Sequence, residues 1–85
     1  MDIGVEISFY PLRAEYAAAI REFLGRLNSH TRLRIITNSM STQIFGDFDK
    51  LMPRLVREVR TSFANQERSQ DKAVFVLKIL GPMAT

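Results

Sequence analysis

Apolar and polar positions alternate from the start of the chain. Ile3, Val5, Ile7 and Phe9 fall on one side of a period of two, and Gly4, Glu6, Ser8 and Tyr10 on the other. This pattern predicts a strand with one buried face. Pro11 has no N–H to give to a ladder and is expected to end it. From Ala14 to Asn28 the period changes. Tyr16, Ile20, Phe23, Leu24 and Leu27 recur at helical spacing with alanines between them, and alanine is the strongest helix former. Leu33, Ile35 and Thr37 then alternate with Arg34, Ile36 and Asn38 as a second strand. A polar turn at Asn38 and Ser39 leads into a third, Met40 to Phe45. Gly46-Asp47 reads as a corner and Asp49 as the N-cap of a second helix. That helix carries Leu51, Met52, Leu55, Val56, Val59 and Phe63, with Pro53 in its first turn. NQERSQDK reads as a solvated loop, and AVFVLKIL as a last strand ended by Gly81-Pro82.

The order βαββαβ predicts an α+β fold, a ferredoxin-like sandwich in which one four-stranded antiparallel sheet carries both helices on one face. Eighty-five residues suit a single domain, 1–85. The expected core is Ile7, Phe9, Ile20, Phe23, Leu24, Leu55, Val59 and Phe63. The other face of the sheet has no cover within the chain. Glu6, Ser8 and Tyr10 lie there, joined by Val74, Val76, Lys78 and Leu80 if Phe75, Leu77 and Ile79 point inward. The third strand adds either Ser41, Gln43 and Phe45 or Thr42 and Ile44, according to its register. An apolar surface of this kind predicts a homo-oligomer, most simply a symmetric dimer.

Composition narrows the chemistry. The chain is 46% hydrophobic and 25% charged, an ordinary soluble balance. It has no cysteine, which removes disulfides, thiol nucleophiles and cysteine-based zinc sites. No leader pattern and no apolar run of membrane-spanning length is seen, so a cytoplasmic protein without membrane attachment is expected. The net charge of +3 comes from arginines scattered over several elements, which reads as solvated helix faces rather than a nucleic-acid footprint. RNA-recognition domains of this topology use aromatics and basic residues on their central strands. Here the third strand, STQIFGD, has one aromatic and no Lys or Arg. His30, the one histidine, reads as an exposed turn residue, and Asp47 and Asp49 are explained by the corner and the cap. Neither a P-loop nor GxGxxG occurs. No enzyme, metal site or cofactor is expected.

Thr37, Asn38, Ser39, Ser41 and Thr42 put five small hydrogen-bonding side chains within six positions. A hairpin turn alone explains Asn38 and Ser39, whose side chains bond neighbouring backbone. Ser41 and Thr42 fall in the predicted strand, where packing alone would favour valine or isoleucine. The run is either a turn or the rim of a pocket that orients a small heterocycle.

ISFYPL, then TNSMSTQIFGDFDKLM, then AVFVLKIL before Gly81-Pro82 resemble the YkoF-like family over nearly the whole chain. That family consists of small ferredoxin-like proteins that bind thiamine and its hydroxymethylpyrimidine moiety. The resemblance implies a non-catalytic binding protein in thiamine precursor salvage or transport, assembled as a homodimer or homotetramer. It places ligand contacts at Tyr10, Thr37, Asn38, Ser39, Ser41 and Thr42; Ser8, on the face of Tyr10, completes the set. At Asn38 the chain departs from the family pattern, which has an aspartate. An asparagine can meet an amino group and a ring nitrogen at once, which makes the bare pyrimidine as good a fit as cationic thiamine. The alternative is an oligomerisation or regulatory module with no bound vitamin. Nucleic-acid binding ranks last.

Overall fold

The alternating N-terminal segment forms the longest strand, β1 (Asp2–Leu12), and the alanine-rich segment forms α1 (Tyr16–Asn28). β2 (Arg34–Thr37) and β3 (Thr42–Asp47) make a hairpin; α2 (Phe48–Arg68) and β4 (Lys72–Leu80) complete the chain. The structure, a computed structural model, describes residues 1–29 and 32–83; the expectation for His30 lies outside the described residues. All pairings are antiparallel, in the order β2-β3-β1-β4. This is the expected ferredoxin-like α+β architecture. Ile3, Val5 and Ile7 of β1 meet Phe23 and Leu27 of α1, Ile44 of β3, and Leu51 and Leu55 of α2 in one buried cluster. Phe9 stacks on Phe75 at 4.3 Å between centroids, and Phe23 meets Phe9 edge-on at 5.5 Å.

The register settles which residues of β3 face the helices. Val5 pairs with Ile44 and Ile7 with Thr42, which turns Thr42 and Ile44 inward and leaves Gln43 and Phe45 on the open face. There Phe45 lies across Gly4, where a Cβ would come within 3.1 Å of its ring, and the Arg34 guanidinium sits 5.2 Å over it. That packing accounts for Phe45 within the chain.

Several boundaries differ from the sequence reading. β1 does not end at Pro11, which is opposite Ala73 in the ladder with β4. β3 stops pairing with β1 at Ile7, so the later residues of β1 form an edge on that side, the setting in which a strand tolerates proline. Gly46 and Asp47 are paired strand residues opposite Ile3 and Asp2, not a corner. α2 starts at Phe48, with Asp47 as its N-cap and Asp49 in its first turn. The Asp47 carboxylate makes no capping bond; it accepts from the Met1 ammonium at 2.9 Å, and that hydrogen bond holds it below the usual carboxylate range. Pro53 therefore lies in the second turn of α2, on its exposed side.

The inner face of α2 also differs. Leu51 and Leu55 are buried as expected, but the stripe continues through Glu58, Ser62 and Gln66. Val56 points outward, and Phe63 is half-exposed, meeting Phe75 edge-on at 5.3 Å. Glu58 and Ser62 are inside because Arg26 reaches across from α1, donating to the Glu58 carbonyl at 3.0 Å and to Ser62 Oγ at 2.6 Å. The first half of the supposed loop NQERSQDK, residues 65–68, is thus the end of α2; Lys72 opens β4, and residues 69–71 turn the chain between them, with Gln70 at φ 59°. Of the expected core, Ile7, Phe23 and Leu55 are buried, Phe9, Leu24 and Val59 pack partly buried against them, and Ile20 is half-buried. No helix among the described residues is long and apolar enough to cross a membrane.

Candidate functional site

The unequal lengths of β1 and β3 open a cleft. After the Ile7–Thr42 pair, β1 runs on from Ser8 to Leu12 with β4 on one side and no strand on the other. The β2–β3 turn and the first turns of α1 flank the gap. The resulting cleft holds about 440 Å³, within the range of small-molecule sites. All seven residues singled out in the sequence line it: Ser8 and Tyr10 from β1, and Thr37, Asn38, Ser39, Ser41 and Thr42 from the hairpin. Sequence reasoning had placed Ile20, Phe23 and Leu24 in the core; they also form the apolar wall of this cleft. It missed Tyr16 and Met40 at the mouth, both exposed. Tyr16 could have been found from its position at the first turn of α1, just after the strand that carries Tyr10.

The turn itself is tightly specified. The Asn38 N–H donates to the Ser41 carbonyl at 3.1 Å. Asn38 Oδ1 accepts from the N–H groups of Met40 at 2.8 Å and Ser41 at 3.1 Å. Its carbonyl is therefore committed to the backbone, and only the amide nitrogen is open to a ligand. Ser41 lies in this turn rather than in β3, and its Oγ donates to Glu6 Oε2 at 3.1 Å. Thr42 opens the strand. Its buried hydroxyl lies 3.0 Å from that of Thr37; one proton is shared between them, and a second remains to be donated.

Among the described residues, none that lines the cleft carries a charge. Its chemistry is an aromatic and aliphatic wall with a rim of hydroxyls and one amide, suited to a flat ring with a polar edge. A second cleft of about 370 Å³ lies between Arg32 and the start of α2, lined by Lys50, Arg54 and Arg57 with Asp47 and Asp49. Among the described residues no group of three or more His, Asp or Glu could hold a metal ion.

No family model matches the chain, and no curated protein matches it. Solved structures do. Protein SP2199 from Streptococcus pneumoniae superposes with a TM-score of 0.85 at 18% identity, over 98% of this chain and 89% of that one. TM0486 from Thermotoga maritima, a candidate thiamine biosynthesis/salvage protein, superposes at 0.77 and 17% identity, over 93% and 82%. MJ1052 from Methanocaldococcus jannascii gives 0.73 at 21% identity, over 99% and 84%. At these identities, what the chain shares with them is the ferredoxin-like fold.

Proposed function

We propose that this chain is a non-catalytic binding protein for thiamine or its hydroxymethylpyrimidine moiety, acting in the salvage or transport of thiamine precursors. The observation that carries the reading is the cleft itself. Seven polar or amphipathic residues chosen from sequence converge on one cavity with an uncharged rim and an apolar wall. The wall made by Ile20, Phe23 and Leu24 takes the faces of a planar ring, and the Tyr10 ring can edge or stack against it. The rim reads the ring's polar edge. No charged side chain among the described lining residues singles out the thiazolium cation, so the bare pyrimidine fits as well as thiamine. The likeness to TM0486 supports the same pathway.

The same reading makes the protein a homodimer or homotetramer. β4 is an edge strand, and its apolar side chains are exposed on both faces: Val74, Val76 and Leu80 on the open face, Leu77 and Ile79 on the helix side beyond the helices' reach. Leu80 is 68% exposed and Ile79 52%. An unpaired strand of this composition favours pairing with another copy. The exposed strand also favours a second reading, an oligomerisation or regulatory module without a vitamin. Calorimetry with thiamine and with 4-amino-5-hydroxymethyl-2-methylpyrimidine separates the two: heat of binding from either supports the ligand reading, and none from both leaves the module.

A further inference from the structure

Glu6 does not line the cleft, yet its carboxylate fixes what one lining residue can do. It stands two positions before Ser8 on the open face of β1. One oxygen accepts the Ser41 hydroxyl at 3.1 Å, and the other lies 3.7 Å from Lys78 Nζ. A serine hydroxyl has one proton and two lone pairs, and an ionised carboxylate can only accept. With its proton held by Glu6, Ser41 offers the cleft lone pairs alone. Asn38, three residues earlier in the same turn, is fixed in the opposite sense. Its Oδ1 is held by two backbone N–H groups, which leaves its amide nitrogen as a donor.

We infer that Glu6 is a specificity-determining positioning residue: by orienting Ser41 it gives the rim a fixed donor–acceptor pair, Asn38 Nδ2 and Ser41 Oγ. This rests on the ligand reading above and goes a step further. An amino-substituted ring presents an N–H beside a ring-nitrogen acceptor and matches the pair. The corresponding oxo ring presents a carbonyl beside a ring N–H, the same edge with its polarity reversed. Bound in the same pose, it sets acceptor against acceptor at Ser41 and donor against donor at Asn38. The cleft therefore selects amino-heterocycles over their oxo counterparts.

The test compares 4-amino-5-hydroxymethyl-2-methylpyrimidine with its 4-oxo analogue by calorimetry, on wild type, Glu6→Gln and Ser41→Ala. Wild type should prefer the amino ring by about tenfold or more, the scale of one mismatched buried polar contact. In Glu6→Gln the new amide can donate to Ser41 Oγ and free the serine proton, so the preference should shrink to about twofold or invert. Ser41→Ala should weaken the amino ring about tenfold and leave the oxo ring within about twofold; it carries the test if the change at Glu6 impairs folding. Equal affinity of wild type for the two rings overturns the inference, as does a preference that Glu6→Gln leaves unchanged. Those outcomes leave the ligand reading standing. Absence of binding of both rings to wild type overturns this inference, and the ligand reading falls with it only where thiamine gives no heat of binding either.

Discussion

Arg26 Nη1 on α1 donates to both the carboxylate and the backbone carbonyl of Glu58 on α2, at 2.5 and 3.0 Å. The remaining guanidinium donors go to both Glu22 oxygens and to Ser62 Oγ, so the whole fork is used and the two helices are tied through a polar seam. Glu58 is buried at 8% exposure, and Arg26 gives it charge-assisted hydrogen bonds whose loss is costly. Arg26→Leu should therefore destabilise the fold by about 1.5–3 kcal/mol, the scale of hydrogen bonds to charged groups. Urea denaturation checks this. A loss under about 0.5 kcal/mol, the scale of a surface pair, would mean that the seam contributes little to stability.

Phe23 is the hub of the apolar side. It is fully buried, meets Phe9 and Phe75 with centroids at 5.5 and 5.2 Å, and forms part of the cleft wall. Phe23→Ala should cost about 3–5 kcal/mol in stability. Ligand affinity should fall in the same variant, since one side chain serves core and cleft. Thermal melts and calorimetry on the same sample report both effects.

Element order and fold class were legible because periods of two and 3.6 alternate cleanly along the chain. The cleft residues were legible from the hydroxyl-rich run 37–42, which holds more small polar side chains than a turn needs, and from the family resemblance, which puts Tyr10 with it. What stayed hidden depends on contacts far apart in sequence. Val56 and Phe63 look inward by hydropathy, but Arg26, thirty residues away in α1, makes Glu58 and Ser62 the better inner pair. Strand lengths were equally out of reach. Only the register shows that β3 leaves β1 at Ile7, and that mismatch makes the cleft. Asn38 was read as offering both its amide groups to a ligand; the turn it closes takes the carbonyl.

Assembly should be sensitive to β4. Ile79 is on an edge strand, half exposed and neutral, and a lysine there would place an inserting charge among apolar side chains. Ile79→Lys should shift the sedimentation profile from dimer or tetramer to monomer at micromolar concentration while the far-ultraviolet circular dichroism stays unchanged. A wild-type protein that already sediments as a monomer would reject the oligomer.

The double role of Asn38 calls for two substitutions rather than one. Asn38→Ala removes Oδ1 and with it the bonds to the Met40 and Ser41 N–H groups. Loss of such a side-chain cap costs about 0.5–2 kcal/mol, so weakened binding in that variant would mix a loosened turn with a lost contact. Asn38→Asp keeps an oxygen for both turn bonds, removes the amide donor, and brings a negative charge among described lining residues that carry none. Its stability should stay within about 0.5 kcal/mol of wild type, as for a substitution that keeps its hydrogen bonds. Affinity for the neutral pyrimidine should fall by about 1–2 kcal/mol, because the ring nitrogen loses its donor. Thiamine suffers the same loss, but its thiazolium gains attraction to the new carboxylate. The ratio of thiamine to pyrimidine affinity should therefore rise, most clearly at low ionic strength, where the charge is least screened. Equal shifts for both ligands, or a ratio that salt does not move, would show that position 38 does not face the cationic ring.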